Sequence, residues 1–450
     1  MNLQLDPTIL ALIIGGAVLA HIALAVAARF VNIQFILVGA FIAVAPWSAS
    51  LVPGAEGLKF GRLYLSVLSV AVAVLVQRQL RMSLAATLLL AFLTLYWLAS
   101  LWSDNVMGGL QFKGMVMPAA LMGILCISTI KTERDLVVAM RLWAAFALLF
   151  AAPAILNLFT KGITLTMGGR FAPFGISNNR MAHECASMLI ICMPIALFDR
   201  SLHWKIFAYG VGTMCALCIL ASGSRAAVLQ SVVPALLMGL PLIKRPILPI
   251  MLGSLSAAIL WFAMPSGARS AYSRLERSEG WNRHEPWYAA MEEFLRSPFI
   301  GVGWAYTQDI RAGGSTVNFH SIYFQVLAEL GVVGVVVFAV ALAVVAWNYF
   351  ALWRLARQHN IQTRWVFVGL GFTAAPLAHG IAESSTFMPG TINLLMLGMG
   401  FAMTGPLREM ILNRQLADAA PPEDGQYDEA DDEYAEYSDY GDYGQQPRTV

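Results

Sequence analysis

Apolar runs long enough to cross a lipid bilayer recur from one end of the chain to the other. Backbone groups inside lipid must be hydrogen-bonded within the protein, so runs of this length are expected to be helices. About thirteen spans are predicted, at residues 8–28, 31–48, 60–77, 82–102, 112–130, 140–158, 180–198, 205–222, 226–243, 246–264, 321–349, 363–382 and 388–404. The pattern therefore predicts an all-α fold, a polytopic transmembrane helical bundle of about 12–13 spans.

Two polar segments interrupt this pattern. Residues 265–319 are expected to form one large loop outside the membrane, and helical spacing after Pro286 predicts an amphipathic helix within it. The C-terminal end repeats Asp, Glu, Tyr and Gly, a composition typical of disorder. The chain is therefore expected to comprise a transmembrane domain, 1–410, and a disordered acidic Tyr-rich tail, 411–450. That tail is either a solvated extension or a segment that docks on a basic envelope-biosynthesis partner or on the protein's own cytoplasmic loops.

The orientation follows from the short basic loops, which alternate with loops that carry no such excess. Arg78 and Arg81, then Lys131 and Arg134, and later Lys244 with its neighbour fall on every second loop. Lys and Arg accumulate on the cytoplasmic side of inner-membrane proteins. We therefore expect the tail to be cytoplasmic and the large loop to lie on the opposite face. With only 12% charged residues and no cationic tract, the chain is not expected to bind nucleic acid.

Arginines mark the face opposite the basic loops. The large loop carries six arginines and no lysine, Arg277 and Arg283 among them. Arg180 and Arg225 each stand at the start of a predicted span. Arginine grips phosphate oxygens in two places, which favours an anionic substrate. The alternatives are pairing with neighbouring glutamates in the loop and snorkelling of the side chain at the span boundaries.

One histidine ends the large loop and opens a span: His320, followed by Ser321, nine residues and then Gly331-x-x-Gly334. Histidine is the residue type that most readily exchanges a proton near neutral pH. At the boundary between lipid and water it is placed to act as a base on a lipid-anchored substrate. Glu329, deeper in the same span, is expected to make a structural polar contact, and His379 is expected to be a structural core histidine.

Several kinds of chemistry have no support in the sequence. There is no HExxH, no paired Asp motif, no P-loop and no Gly-x-Ser-x-Gly elbow. The five cysteines all fall inside apolar spans without a metal-ligand context. The reaction is therefore expected to need no metal, no ATP and no cofactor.

Taken in order along residues 110–405, several short motifs resemble one family. They are Gly175-Ile-Ser-Asn-Asn-Arg180, Ser222-Gly-Ser-Arg225, Arg283-x-x-x-Trp287, Ser297-Pro-Phe-Ile-Gly-Val-Gly303, His320-Ser321-x9-Gly331-x-x-Gly334 and Glu383-Ser384. The chain is similar to the O-antigen ligase and exopolysaccharide polymerase superfamily of bacterial inner-membrane proteins. The resemblance implies a helical bundle of the membrane glycosyltransferase (GT-C-like) type with one large periplasmic loop.

The resemblance also implies a reaction and roles for individual residues. Family members transfer a glycan from undecaprenyl pyrophosphate to an acceptor hydroxyl. Because such a donor already carries a good leaving group, we expect a direct displacement with inversion that uses neither metal nor ATP. The expected catalytic residues are His320, as base, with Arg225 and Arg283, which hold the pyrophosphate. The expected substrate-binding residues are Arg180, Arg277, Trp287, Ser321 and Glu383.

Three alternatives remain for the function. A ligase would use lipid A core as acceptor, whereas a polymerase would use a second lipid-linked glycan, and both grip the same donor. A flippase or exporter of lipid-linked oligosaccharide would also explain many helices and a cationic face. A structural scaffold for an envelope-synthesis complex would fit the acidic tail. The charges lie on one face rather than along a path through the membrane, which favours the enzyme.

Overall fold

The computed structural model describes residues 32–48, 57–76, 82–160, 165–166, 170–242, 284–304, 311–312, 315–316, 319–358, 363–384, 387 and 390–419. Its helices, numbered in chain order, are α1 (Ile33–Trp47), α2 (Gly57–Val76), α3 (Leu84–Leu98), α4 (Val106–Gly114), α5 (Met117–Ser128), α6 (Glu133–Thr160), α7 (Asn178–Phe198), α8 (Leu202–Ser222), α9 (Arg225–Gly239), α10 (His284–Arg296), α11 (Ile322–Gln358), α12 (Arg364–Ala382), α13 (Ile392–Ala402) and α14 (Thr404–Ala419). Two short antiparallel hairpins pair β1 (Leu165–Thr166) with β2 (Arg170–Phe171) and β3 (Arg311–Ala312) with β4 (Ser315–Thr316).

The predicted helical bundle is confirmed. Within the described residues, eight helices or helix pairs are long and apolar enough to cross a membrane. They are Leu84–Trp102, Val106–Ser128, Glu133–Thr160, Asn178–Phe198, Leu202–Ser222, Arg225–Leu242, Ile322–Gln358 and Arg364–Ala382. The chain is therefore a multi-pass membrane protein.

Some predicted boundaries differ from the structure or cannot be compared with it. The predicted spans 8–28 and 246–264 lie outside the described residues. The predicted span 388–404 is longer than the helix found there. Helix α13 has 11 residues, since Gly390 and Thr391 precede it and a new helix begins at Thr404. Helix α14 continues to Ala419, beyond the position where the acidic tail was predicted to begin.

Helix α7 lies at the centre of the bundle, with α6, α8, α9 and α12 around it. Small residues let other helices approach closely: a Cβ at Gly123 of α5 would overlap the Leu395 carbonyl of α13, and one at Gly398 would overlap the Ala120 carbonyl. Such small residues replace the hydrophobic driving force that is missing between helices in lipid. Helices α5 and α13 are therefore closely packed against each other.

Ion pairs tie the helices together at the end where α7 and the start of α12 meet. Arg141 donates to both carboxylate oxygens of Asp199, at 2.7 and 2.6 Å. Burial opposes ionisation of Asp199, but the hydrogen bonds from Arg141 prevail and lower the pKa of this carboxyl. Arg364 pairs with Glu133 and donates to the Phe198 carbonyl. We call this the Asp199 end of the bundle, and the other the His320 end.

Helix α11 is divided at Gly331, where the backbone takes φ 61° and ψ −158°. Non-glycine residues essentially never adopt this conformation. We call residues 320–330 the His320 arm and residues 332–358 the long segment. The break separates a short piece that carries the predicted base from a long apolar piece.

Candidate active site

Four chain segments converge at the His320 end. Helices α7, α9 and α11 begin there, and α12 ends there. A buried polar layer ties α7 and α9 to α13: Ser187 donates to Asn393 at 2.8 Å, and Gln230 donates to Asn393 at 2.6 Å. His379 lies 3.4 Å from the same Asn393 side chain and therefore belongs to the structural layer, as the sequence indicated.

Three of the predicted site residues lie between this layer and the end of the bundle. Arg225 precedes Gln230 by five residues, or about 7.5 Å of helix rise, and Arg180 precedes Ser187 by seven, or about 10 Å. Glu383 follows His379 at the end of α12, and its N–H donates to the His379 carbonyl. The helix geometry thus brings Arg180, Arg225 and Glu383 to the same end of the bundle.

His320 and Glu383 form a direct contact. The Nδ1 atom of His320 lies 3.3 Å from Oε2 of Glu383, and the imidazole is partly exposed. The amide of Asn179 donates to the other carboxylate oxygen at 3.2 Å. His320 itself has φ 49°, a left-handed conformation that is unusual for a residue with a side chain. Backbone strain of this kind is concentrated at functional sites.

A second polar cluster lies beside this contact. Nε of Arg180 is 3.9 Å from Oε1 of buried Glu184, whose other oxygen accepts from the N–H of Ile392 at 3.2 Å. Arg62 of α2 donates to the Gly390 carbonyl at 3.0 Å. These contacts fix both sides of the chain immediately before α13. They therefore anchor the start of α13 to α2 and α7.

Arg225 occupies the first position of α9, directly after a tight turn. Gly223 ends α8 in the left-handed conformation with φ 62°, and the N–H of Ser224 is bound by the Ser222 hydroxyl at 3.1 Å. The turn places Arg225 at a helix N-terminus, where the backbone N–H groups also favour an anion. The Ser-Gly-Ser-Arg motif thus forms the turn that ends α8 and places Arg225 at the start of α9.

The remaining predicted residues have different surroundings. Trp287 of α10 stacks on Phe324 of the His320 arm, with ring centroids 5.1 Å apart and planes at 15°. Ser321 is buried, and its carbonyl accepts from the Gln325 N–H as α11 begins. Arg277 and Arg283 lie outside the described residues. The structure therefore shows a packing contact for Trp287 and tests neither loop arginine.

The two glycine motifs meet at the break in α11. The N–H groups of Val302 and Gly303 donate to the carbonyls of Ala328 and Glu329, at 3.0 and 3.1 Å. Across the break, the N–H groups of Val332 and Val333 donate to the carbonyls of Pro298 and Phe299, at 2.9 and 3.0 Å. We call residues 297–303 the glycine loop. Its backbone hydrogen bonds replace those that the helix loses at Gly331.

The part of the chain that matches a known protein family contains several of the elements described above. Residues 210–339 match the family described as O-antigen ligase. The match includes the turn before Arg225, the helix α10, the glycine loop and the His320 arm. This region belongs to the O-antigen ligase superfamily. The resemblance seen in the sequence is confirmed, and it indicates an activity of the O-antigen ligase or polymerase type.

The family also sets the general class of substrate. Its activity implies a lipid-linked oligosaccharide and a membrane setting, and it suggests a glycosyltransferase-like enzyme. No curated protein matches the chain. Arg180 and Glu383 lie outside the matched residues, so their assignment depends on the structure and on the short motifs alone.

Sequence reasoning missed three residues of this region. Asn179 stands beside Arg180 in a recognised motif, yet nothing in the sequence pairs it with Glu383. Arg62 and Lys113 are basic residues inside or beside predicted apolar spans, and an intramembrane charge usually marks a specific partner. The sequence therefore indicated that Arg62 and Lys113 have specific partners, but it did not identify those partners.

Proposed function

We propose that the protein transfers a glycan from undecaprenyl pyrophosphate to an acceptor hydroxyl at the periplasmic face of the bacterial inner membrane. The proposed acceptor is lipid A core, as in an O-antigen ligase. The observation that carries the proposal is the His320–Glu383 contact, at the same end of the bundle as Arg180 and Arg225. The family match supports the type of activity.

In this mechanism His320 is the general base. Glu383 accepts a hydrogen bond from Nδ1–H, which fixes the tautomer and leaves Nε2 to accept the proton of the acceptor hydroxyl. The acceptor oxygen then bonds to the anomeric carbon as the bond from that carbon to the pyrophosphate oxygen breaks. Attack from the opposite side inverts the anomeric configuration. Asn179 holds the Glu383 carboxylate in place.

The arginines receive the charge that leaves with the lipid. Arg225 at its helix N-terminus binds the departing pyrophosphate, together with Arg283 and Arg277 of the large loop, and Arg180 adds positive charge nearby. The donor already carries a good leaving group, so the transfer needs no ATP. Positioning and charge stabilisation supply the acceleration. Trp287 and Ser321 support the substrate site from α10 and the start of α11.

The charge distribution supports the orientation. The Asp199 end carries Lys131 and Arg200 on short connections between helices, and Arg134 and Lys205 in the first turns of the helices that follow, as cytoplasmic ends do. The His320 end is then periplasmic, and the acidic tail after α14 is cytoplasmic. The same orientation gives the large loop access to the periplasmic substrates.

The experiment uses purified protein in detergent with undecaprenyl-pyrophosphate-linked oligosaccharide and EDTA. One reaction contains lipid A core and the other contains only the donor. Product on lipid A core supports the ligase, whereas a ladder from donor alone identifies a polymerase. His320→Ala should lower kcat by about 10²–10⁴-fold, the range that a general base contributes.

The matched control is His203→Ala. His203 is an exposed histidine near the start of α8, at the Asp199 end. This variant should transfer at the wild-type rate. If folded wild-type protein transfers glycan in neither reaction, the proposed function is wrong and a transporter becomes the better explanation. Full activity of His320→Ala would remove His320 from the mechanism.

A further inference from the structure

The His320 arm is mechanically distinct from the rest of α11. At Gly331 the helical backbone breaks, and the hydrogen bonds around the break run to the glycine loop rather than along the helix. The arm also has its own small apolar cluster with α10, formed by Ala289, Ala290, Phe319 and Ala328. The long segment therefore does not determine the position of the arm, and side contacts must do so.

A buried ion pair supplies such a contact at the inner end of the arm. Nζ of Lys113, from α4, lies 2.8 Å from Oε2 of Glu329, and both side chains are fully buried. The ammonium also lies 4.0 Å from the centre of the Tyr96 ring. Gln325 of the arm donates to the Tyr96 hydroxyl at 2.9 Å and to Glu329 at 3.1 Å. Four polar side chains on three helices thus form one enclosed network.

We propose that Lys113 and Glu329 are positioning residues that hold the His320 arm, and with it His320, in the geometry for transfer. The proposal rests on the proposed function. His320 is fixed at one end of the arm by Glu383, and Glu329 is fixed at the other end by Lys113. The ion pair thus acts on glycan transfer through the position of His320 and not by touching the substrate.

The physical reason is that a buried ion pair is a poor source of stability but a strict constraint on geometry. Removing two charges from water costs about as much as their attraction returns, and apolar replacements of such pairs are often neutral or stabilising. Inside a membrane, however, neither charge can separate from its partner without a large penalty. The arm is therefore confined to positions in which Glu329 remains within ion-pair distance of Lys113.

The Lys113–Glu329 pair lies where it can hold both the His320 arm and the glycine loop. The carbonyl of Glu329 accepts the Gly303 N–H, so the residue that pairs with Lys113 also anchors the glycine loop. A Cβ at Gly301 would overlap the backbone of Glu329 and Leu330. On the other side of the arm, Trp287 stacks on Phe324. A shift of the ion pair would therefore move the glycine loop and the arm together.

The first test is the double variant Lys113→Met/Glu329→Leu, which replaces both charges with apolar side chains of similar length. It should unfold at the wild-type temperature, keep the donor KM and lose about 10²-fold in kcat, as expected when a catalytic group is misplaced by about 1 Å. The second variant, Glu329→Gln, keeps the side-chain shape and should show the same split between kcat and KM.

The matched control removes another buried polar pair, far along the chain from the arm. Gln34 of α1 donates to the Ser69 carbonyl at 2.9 Å, and Ser69 of α2 donates to Gln34 at 2.5 Å. The variant Gln34→Met/Ser69→Ala should keep the wild-type kcat. Wild-type kcat in either folded arm variant would overturn the proposal. Failure of both arm variants to fold would also overturn it, because the pair would then be required for folding itself.

Hydrogen exchange separates this inference from the proposed function. In the double variant, the amides of Val302, Gly303, Val332 and Val333 should exchange faster than in wild type, while peptides from α8 should not change. This result is expected even if the wild-type protein transfers no glycan, in which case only the proposed function fails. Unchanged exchange at these four amides would show that the ion pair does not hold the arm.

Discussion

Helix α11 contains two regions with opposite properties. The His320 arm carries polar side chains such as Gln325 and Glu329, packs against α10, pairs with Lys113 of α4, and begins with a strained histidine. The long segment is almost entirely apolar, and one side of it, including Val332 and Val336, is exposed. Only Gly331 separates these two regions in the sequence.

The difference shows how a membrane helix can serve two purposes. The long segment needs only to match the thickness and apolarity of the bilayer, so many sequences would serve. The arm must hold one imidazole against one carboxylate, so its contacts are specific and numerous. A break between them lets the arm take its own direction without disturbing the membrane span.

Removing the break should have the largest effect. At Gly331 an alanine Cβ would lie 2.6 Å from the Phe299 carbonyl carbon, and the backbone conformation is almost exclusive to glycine. Strain and overlap together should destabilise Gly331→Ala by about 3 kcal/mol or more. Thermal unfolding in detergent measures this loss, and glycan transfer should fall with it.

The control for this change is Gly210→Ala in α8. No atom lies within 4 Å of the added Cβ at Gly210, and alanine favours helix over glycine. This variant should be as stable as wild type or up to about 1 kcal/mol more stable. If Gly331→Ala were equally stable, the arm and the long segment would not need a glycine between them.

The amide variant of Glu383 should have the next largest effect, and it sharpens the comparison because this residue contacts the arm through His320. Glu383→Gln keeps the contact with His320 but removes the carboxylate that stabilises the imidazolium. We expect kcat to fall by about 10- to 100-fold, less than the loss of the base itself. Steady-state transfer kinetics measure the change, and thermal unfolding should be unaltered.

Glu133→Gln provides the same chemical change at the Asp199 end. Glu133 pairs with Arg364, far from the His320 end of the bundle, so its loss should lower stability slightly and leave kcat unchanged. Equal losses of kcat in both variants would mean that carboxylates in general, rather than the one beside His320, support the activity.

The sequence predicted the fold, and it suggested part of the candidate site, for physical reasons that are local. Apolar length alone identified the spans, and the unusual setting of His320 identified the candidate base. The expected polar contact of Glu329 is confirmed by Lys113. What the sequence could not supply were pairings between distant residues: Asn179 with Glu383, and Lys113 with Glu329, lie more than two hundred positions apart.

The glycine motifs are a second case in which the sequence could not predict a contact between distant segments. Their spacing was recognised in the sequence, but their role depends on hydrogen bonds between the glycine loop and residues 328–333. Those bonds pair N–H and carbonyl groups of the backbone, which all residue types carry except that proline lacks the N–H. No pattern of side chains could therefore predict which two segments would meet.

The smallest effect should come from one substitution made in both regions of α11. Val326 in the arm is 1% exposed, whereas Val336 in the long segment is 53% exposed. Val326→Ala should cost about 2 kcal/mol because it leaves a cavity, while Val336→Ala should stay within about 0.5 kcal/mol of wild type. A valine that faces lipid gains little on folding, because lipid is as apolar as the protein interior. Thermal unfolding of the two variants measures the difference, and equal losses would show that the long segment is packed as specifically as the arm.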